Sequence, residues 1–200
     1  MEPDLGHTLK SLRTSREWSL TMAAEQTGVS KAMLGQIERG ESSPTVATLW
    51  KIATGFNVPF SLFITATTPP SSAEVQRSGS IASWQQHSGN MQVTPVFPFD
   101  PQLGFDMLAV ELAAGASSDS SAHDHGVIEH VIVISGKLSL QVNERWHSLQ
   151  TGEGLRFQAD CPHSYRNETD RVVHFQSLIH YPKTHENTVR RQQQPGNLPQ

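Results

Sequence analysis

The sequence has little cysteine, no long apolar run and no excess of positive charge, and each shortage excludes a class of protein. Its one cysteine, Cys161, cannot build an internal disulfide framework. No stretch approaches the roughly 18–20 apolar residues that cross a bilayer, and the first ten residues, MEPDLGHTLK, lack the apolar core of a secretory signal. The formal net charge is -4 with histidine neutral, so composition offers no polybasic surface. These features predict a cytoplasmic protein with no membrane partner, in which any contact with nucleic acid is local.

Composition changes along the chain in a way that predicts two domains within its 200 residues. Residues 1–65 show apolar residues at helical spacing. Residues 66–80 are rich in Pro, Ser and Thr, as linkers are. Residues 81–182 form short strand-like runs separated by Gly, Asp and Asn, and residues 183–200 lack apolar periodicity and are predicted to be disordered.

A stretch near the N-terminus has the pattern of two short helices joined by a tight turn. Ser19 is a good N-cap for the first helix, Gly28 permits the left-handed turn that ends it, and Ser30 caps the second. This is the helix-turn-helix arrangement, in which the second helix lies in a DNA major groove. Leu34 and Ile37 of that helix would face inward. A helical bundle used for dimerisation has the same spacing, so the pattern alone leaves both interpretations open.

The outward side of the second helix carries residue types that can contact DNA. Gln pairs bidentately with adenine, Lys with guanine acceptors, and Ala packs on a thymine methyl. The candidates are Lys31, Ala32, Gln36 and Arg39, with Ser43 and Thr45 placed to donate to phosphates at the next helix N-terminus. Residues 1–65 hold six Lys and Arg and also six Asp and Glu, so phosphate attraction is expected to be modest. We therefore expect a homodimer that grips two half-sites of a palindromic duplex.

A known family shares this stretch. SLTMAAEQTGVSKAMLGQIERGESSPTVATLWKIATGFNVPFSLF closely resembles the five-helix DNA-binding domain of the phage-repressor-like XRE regulators. The resemblance covers nearly all of residues 5–64, and the combination of GVS with IERGESSPTVATLWKIA is specific. It implies base-facing positions for Lys31, Ala32 and Gln36. It implies backbone-contacting or capping positions for Ser30, Arg39, Ser43 and Thr45.

Residues 123–130, HDHGVIEH, bring several metal-ligand residue types together. Side chains two apart on a strand share a face, so His123 and His125 would point the same way, and Glu129 follows after Gly126 bends the chain. Two imidazoles and a carboxylate suit Zn, Fe, Mn, Ni or Cu, with one more ligand needed for a closed tetrahedron. The polar turn beside Gly126 leaves open whether His125 faces solvent instead. Taken alone, the octet also fits a solvated loop.

A second segment, GEGLRFQADCPHSYRN, places a further histidine, His163, on a different predicted strand. The two segments together resemble the paired motifs of the cupin superfamily, which are small antiparallel jelly-roll barrels. The first motif is matched by His123, His125, Glu129 and Gly136, and the second by Gly152, His163 and Asn167. The resemblance implies an all-β barrel across residues 81–182. It also implies one divalent metal ion, with Zn first and Fe, Mn or Ni as alternatives, held by His123, His125, Glu129 and His163.

Joining a DNA-binding domain to such a barrel predicts a transcription regulator rather than an enzyme. We expect a small-molecule effector with a chelating head and an apolar tail, such as an amino acid or a carboxylate. Its predicted pocket is formed by Phe105, Met107, Phe157, Tyr165 and Gln176. Effector binding would bias the dimer geometry and so the spacing of the DNA half-sites. Two alternatives stay open: a metal-dependent cupin dioxygenase or isomerase with an accessory DNA-binding domain, and a metal-free barrel that serves mainly to dimerise.

Overall fold

The computed structural model describes residues 4–64, 84–85 and 90–182, the pair 84–85 by its backbone alone. The first of these ranges is helical, with α1 (Leu5–Ser15), α2 (Leu20–Thr27), α3 (Lys31–Glu38), α4 (Val46–Gly55) and the 3-10 turn η1 (Phe60–Phe63). The expected count of five helices is not confirmed, because the segment after α4 forms only a four-residue 3-10 turn. The predicted linker, residues 66–80, and the predicted tail, residues 183–200, lie outside the described residues.

The sequence sets both ends of α2 and the start of α3 as predicted. The Ser19 Oγ accepts a hydrogen bond from the Met22 N–H at 3.1 Å, and the Ser30 Oγ accepts one from the Met33 N–H at 3.2 Å. Both serines are therefore N-caps, which satisfy a backbone donor that the helix itself leaves unpaired. Gly28 ends α2 with a φ of 65°, in the left-handed region that glycine adopts without strain. The turn between the two helices thus follows from three residues.

Two glycines let the helices approach closely. A Cβ atom on Gly6 of α1 would lie 2.6 Å from the carbonyl oxygen of Ile37 in α3, and a Cβ on Gly55 of α4 would lie 2.5 Å from the carbonyl oxygen of Gln26 in α2. No carbon atom fits at such distances, so both crossings require glycine. None of the described helices is long and apolar enough to span a membrane.

The second part of the chain is built from antiparallel strands. They are β1 (Trp84–Gln85), β2 (Met91–Asp100), β3 (Phe105–Leu112), β4 (Ser117–Ser120), β5 (Ile128–Ser135), β6 (Lys137–Val142), β7 (Arg145–Gln150), β8 (Gly154–Gln158), β9 (His163–Arg166) and β10 (Val173–His180). A six-stranded sheet has the order β1-β2-β3-β10-β5-β8, and a four-stranded sheet has the order β4-β9-β6-β7. The prediction of an all-α domain followed by an all-β domain is confirmed for the described residues.

The register of the six-stranded sheet places two carboxylates on its inner face. Ile179 of β10 pairs with Asp106 of β3 on one side and with Glu129 of β5 on the other. Side chains in register across neighbouring strands share a face, and all three are completely buried. The barrel interior therefore holds Asp106 and Glu129 in one row, separated by an isoleucine.

The helical domain packs against β2 and β4 of the second domain through α4 and η1. The Ser61 N–H of η1 donates to the Asp106 carboxylate at 3.4 Å, and the Ser61 Oγ accepts from the Phe99 N–H of β2 at 2.9 Å. The indole of Trp50 in α4 lies edge-on to the imidazole of His123, with ring centroids 6.3 Å apart. Residues of the helical domain therefore border the interior of the barrel directly.

Candidate metal centre and DNA-binding face

Three of the four predicted metal ligands meet inside the barrel. His123 lies in the loop between β4 and β5, Glu129 lies on β5, and His163 begins β9. One ligand atom from each lies within 4.8 Å of the other two. Each element is fixed by backbone bonding: the His123 N–H donates to the Ala159 carbonyl at 2.9 Å, and β5 and β9 sit inside their sheets. The geometry therefore offers two imidazoles and one carboxylate from three separate segments.

Neighbouring groups orient these ligand atoms toward one another. The hydroxyls of Tyr165 and Ser177 both donate a hydrogen bond to the Oε1 of Glu129, and the bond from Ser177 is 2.7 Å long. The Oε2 of Glu129 has no hydrogen-bond partner. The His163 Nδ1 lies 2.9 Å from the Cys161 carbonyl, which accepts only, so Nδ1 carries the proton and Nε2 keeps a lone pair. The His163 Nε2 is 3.6 Å from the free Glu129 Oε2.

The unpaired atoms of this cluster are what a metal ion requires. The Nε2 atoms of His123 and His163 and the Oε2 of Glu129 are buried and have no hydrogen-bond partner. Burial lowers the pKa of His123 to about 4, an effect that Glu129 opposes and His163 reinforces. His123 is therefore neutral at pH 7, as a metal-ligating imidazole must be. Burial and Glu129 raise the pKa of Tyr165 well above its usual range, so its hydroxyl stays a donor.

His125 does not join the cluster. Its side chain is 98% exposed, and its Nδ1 lies 2.8 Å from the carboxylate of Asp160. The physical reason is local: residues 121–127 form a loop rather than a strand, with a turn at His125 and Gly126 and a φ of 91° at Gly126. The two-residue alternation that would put His125 beside His123 therefore does not apply, and the chain offers three of the four predicted ligands.

A small chamber adjoins the cluster on the side of Glu129. Its volume is about 10 Å³, which is room for about one water molecule. Most of its lining is apolar or hydroxylated, and it includes one residue of the helical domain. The lining residues are Trp50, Met91, Val110, Ser118, Ser120, Glu129, Tyr165, Phe175 and Ser177.

The structure brings two of the five predicted pocket residues to this region. Tyr165 lines the chamber, and the ring centroid of Phe157 is 5.2 Å from that of His163. Phe105, Met107 and Gln176 lie instead on the outer face of the six-stranded sheet, because β3 and β10 bury the alternate residues. Alternation along a strand does not say which of the two sets of side chains faces inward. For β3 and β10 the sequence predicted the inward set wrongly.

Three residues of the chamber were not among the residues predicted to form the pocket. Ser120 and Ser177 read as ordinary strand serines, and Trp50 reads as a core residue of a helix. The buried row through Glu129 could have identified Ser177, since a residue two positions before the inward Ile179 shares its face. No local pattern could have shown that Trp50 faces a different domain.

The three residues of α3 that are predicted to face the bases are exposed. Lys31, Ala32 and Gln36 of α3 are exposed, whereas Leu34 and Ile37 are buried. The inner face of the helix is thus used for packing, and the outer face is available to a groove. An ion pair of 2.6 Å between Arg13 of α1 and Glu38 of α3 further fixes the helix.

The residues predicted to contact the DNA backbone have varied roles in the structure. Ser30, Arg39 and Ser43 are exposed, and Arg39 forms an ion pair of 2.7 Å with the exposed Glu41. Thr45 is half-buried and caps α4, because its Oγ1 accepts from the Thr48 N–H at 3.1 Å. A DNA phosphate would therefore compete with Glu41 for Arg39.

Comparison with known proteins agrees with both halves of this architecture. A helix-turn-helix family model matches residues 9–63, and a cupin domain model matches residues 108–180. The HTH-type transcriptional regulator SutR of Escherichia coli (strain K12) is 57% identical over 180 residues, which cover 90% of this chain and 96% of SutR.

Solved structures give the same picture. The crystal structure of an HTH_3 family transcriptional regulator from Vibrio cholerae has a TM-score of 0.74 and 41% identity, and covers 90% of this chain and 97% of that one. The cupin domain of an XRE family transcriptional regulator from Enterobacter cloacae is 51% identical, with a TM-score of 0.46, over 47% of this chain and 99% of that one. SutR and the Vibrio cholerae protein are both transcriptional regulators, which confirms the expectation of a regulator rather than an enzyme. The chain belongs to the XRE-type helix-turn-helix transcriptional regulators that carry a cupin domain.

Proposed function

We propose that this regulator reads a palindromic operator in the cytoplasm as a homodimer, with α3 of each protomer in a major groove. The observation that carries the proposal is the exposed row of Lys31, Ala32 and Gln36 on a helix whose other side is buried. These side chains can read guanine, a thymine methyl and adenine respectively. Ser30, Ser43, Thr45 and Arg39 flank the row and are proposed to contact the DNA backbone.

The barrel is proposed to hold a divalent metal ion, Zn first and Fe, Mn or Ni as alternatives, on His123, Glu129 and His163. The support is the set of three buried ligand atoms that have no other partner and lie within 4.8 Å of one another. Buried polar atoms without partners are destabilising, and a cation would pair all three at once. When bound, the ion would supply an open coordination position, since the described part of the chain offers three ligands to it.

A small-molecule effector with a chelating head is proposed to take that open position. Tyr165 and Ser177 would keep Glu129 oriented by their hydrogen bonds to its other oxygen. Trp50 contacts the His123 ring and lines the same chamber as Glu129, so an occupant of this chamber would meet the DNA-binding domain as well as the barrel. This contact is the physical support for effector sensing as opposed to a purely structural barrel.

The outer face of β5 supports the proposed homodimer. Ile132 and Ile134 are 47% and 50% exposed on the outer face of the six-stranded sheet. Two large aliphatic side chains on one exposed strand face are a feature of surfaces that become buried on association. We expect the double substitution of Ile132 and Ile134 by Lys to give monomers in analytical ultracentrifugation.

Selection from a pool of random duplexes tests DNA recognition directly. Purified full-length protein at moderate salt should enrich a motif with twofold symmetry and half-sites about one helical turn apart. Lys31→Ala should relax the preference at one position of each half-site, whereas Lys10→Ala, which removes an exposed lysine from α1, should leave the motif unchanged. Failure of the wild-type protein to enrich any motif would overturn the proposed function.

A further inference from the structure

Trp50 belongs to the DNA-binding domain but forms a wall of the barrel chamber. Its side chain is 8% exposed and packs on Phe60 of η1, with ring centroids 4.7 Å apart. On its other side it reaches the imidazole of His123, and it lines the same chamber as Glu129. The wall of the site is therefore shared between the two domains.

The chamber is too small for the effector that the ligand set favours. Its volume of about 10 Å³ admits about one water molecule, whereas a chelating acid with an apolar body has many more atoms. Such a ligand can enter only if part of the wall moves. The barrel walls are strands hydrogen-bonded within their sheets: β10 is paired on both sides, and so are β5 and β9.

Trp50 is the wall residue best able to leave. It is attached to a separate domain rather than to a sheet, so its movement breaks no strand pairing. Its indole Nε1, which can only donate, is buried without a hydrogen-bond partner. A buried donor without a partner destabilises the docked position and regains hydrogen bonds when it is exposed to water. The docked position of Trp50 is thus held by packing alone.

We propose that the Trp50 side chain stands in the place of the effector's apolar body, so that Trp50 docking and effector binding exclude each other. This inference rests on the proposed function. The effector class it defines is an acid with a chelating head group, directed at the cluster of His123, Glu129 and His163, and a flat apolar body of about indole size. The apolar body would pack against three apolar residues that line the chamber, Met91, Val110 and Phe175.

The competition between Trp50 and the effector would couple the barrel to the DNA-binding face. Trp50 lies in α4, which begins after its N-cap Thr45, and α4 crosses α2 at Gly55 without space for a methyl group. Displacement of Trp50 therefore removes a contact between α4 and the barrel, and α4 in turn packs on α2 of the helix-turn-helix pair. Effector occupancy then shifts the population between two arrangements of the helical domain on the barrel.

The test uses full-length protein loaded with Co²⁺ and the probe benzohydroxamate, which has a chelating head and a flat apolar body. Binding is followed by the Co²⁺ absorption bands. Trp50→Ala should bind the probe at least about tenfold more tightly than the wild type, and Trp50→Phe, which keeps a smaller ring, should fall between them. Trp146→Ala, which removes an exposed tryptophan from β7, should match the wild type. Co²⁺ affinity itself should be the same in all four proteins.

A second measurement serves if Trp50→Ala does not fold. In wild-type protein labelled with 5-fluorotryptophan, the resonance that Trp50→Phe removes should shift when the probe is added, while the Trp146 resonance stays in place. Equal probe affinity in the wild type and in the folded Trp50 variants, with Co²⁺ bound, would overturn this inference and leave the proposed metal site standing. Absence of Co²⁺ binding in the wild type would overturn both.

Discussion

Replacing Asp106 by Asn should remove a pH dependence of stability that the fold builds into the domain junction. Asp106 is completely buried on the inner face of the six-stranded sheet, and one of its carboxylate oxygens has no partner. Burial raises its pKa from the ordinary 3.8 to about 7, although hydrogen bonds from Ser61 act in the opposite direction and Glu129 adds to the rise.

The sign and size of the effect follow from the two pKa values. A carboxyl group that ionises at 3.8 in the unfolded chain and at about 7 in the folded one contributes stability that is complete below about pH 4 and lost as the pH rises to about 7. At about 1.4 kcal/mol per pH unit, the loss reaches at most about 4 kcal/mol. Asn cannot ionise, so Asp106→Asn should not lose this stability. The difference in the free energy of unfolding between Asp106→Asn and the wild type should therefore rise by up to this amount from pH 4 to pH 7.

Urea unfolding at half-unit intervals from pH 4 to pH 8 measures this difference. Other titrating groups cancel when the variant is subtracted from the wild type at each pH. Asp119→Asn, at an exposed position of β4, serves as the matched control and should run parallel to the wild type. Parallel curves for Asp106→Asn over the whole range would refute the reasoning, because they would mean that Asp106 ionises as readily in the folded protein as in the unfolded chain.

Four further variants test the other parts of the structure. His163→Ala should lower Zn affinity by at least about 100-fold, because it removes a group that would bind the ion directly. His125→Ala should change Zn affinity by less than about threefold. Equal losses for the two variants in a metal titration would contradict the three-ligand cluster. Gln36→Ala should reduce discrimination at one base pair of each half-site by about 1–3 kcal/mol without abolishing binding, as measured by fluorescence anisotropy on duplexes with single changes. Gly55→Ala should lower the free energy of unfolding by about 1–3 kcal/mol, because its Cβ would lie 2.5 Å from a backbone oxygen; an unchanged thermal midpoint would contradict that close crossing.

Local signals in the sequence predict the helical domain well because its turns depend on a few residues. The Ser19 and Ser30 caps and the left-handed Gly28 are each readable from residue type, and together they fix the angle between α2 and α3. The last turn, Phe60–Phe63, is different: four residues after a proline support only a 3-10 turn, although the apolar pattern continues.

The interior of the barrel is predictable in part. Glu129 and His163 follow from motif spacing, but the partners that orient them, Tyr165 and Ser177, come from strands far away in the sequence. His125 shows the limit of alternation, which holds along a strand and fails in a turn. The position of Trp50 depends on how one domain packs on another, and no spacing within α4 contains that information.

DNA affinity with and without a ligand at the metal-loaded site tests the central claim most directly. The claim is that a chelating ligand at the His123, Glu129 and His163 site changes how α3 meets DNA. The dissociation constant for a selected duplex should differ by at least about fivefold between Zn-loaded wild-type protein with and without saturating benzohydroxamate, which corresponds to about 1 kcal/mol of coupling, and His163→Ala should show no difference. Identical dissociation constants for the two forms of the wild type, with the probe shown to be bound, would contradict the account.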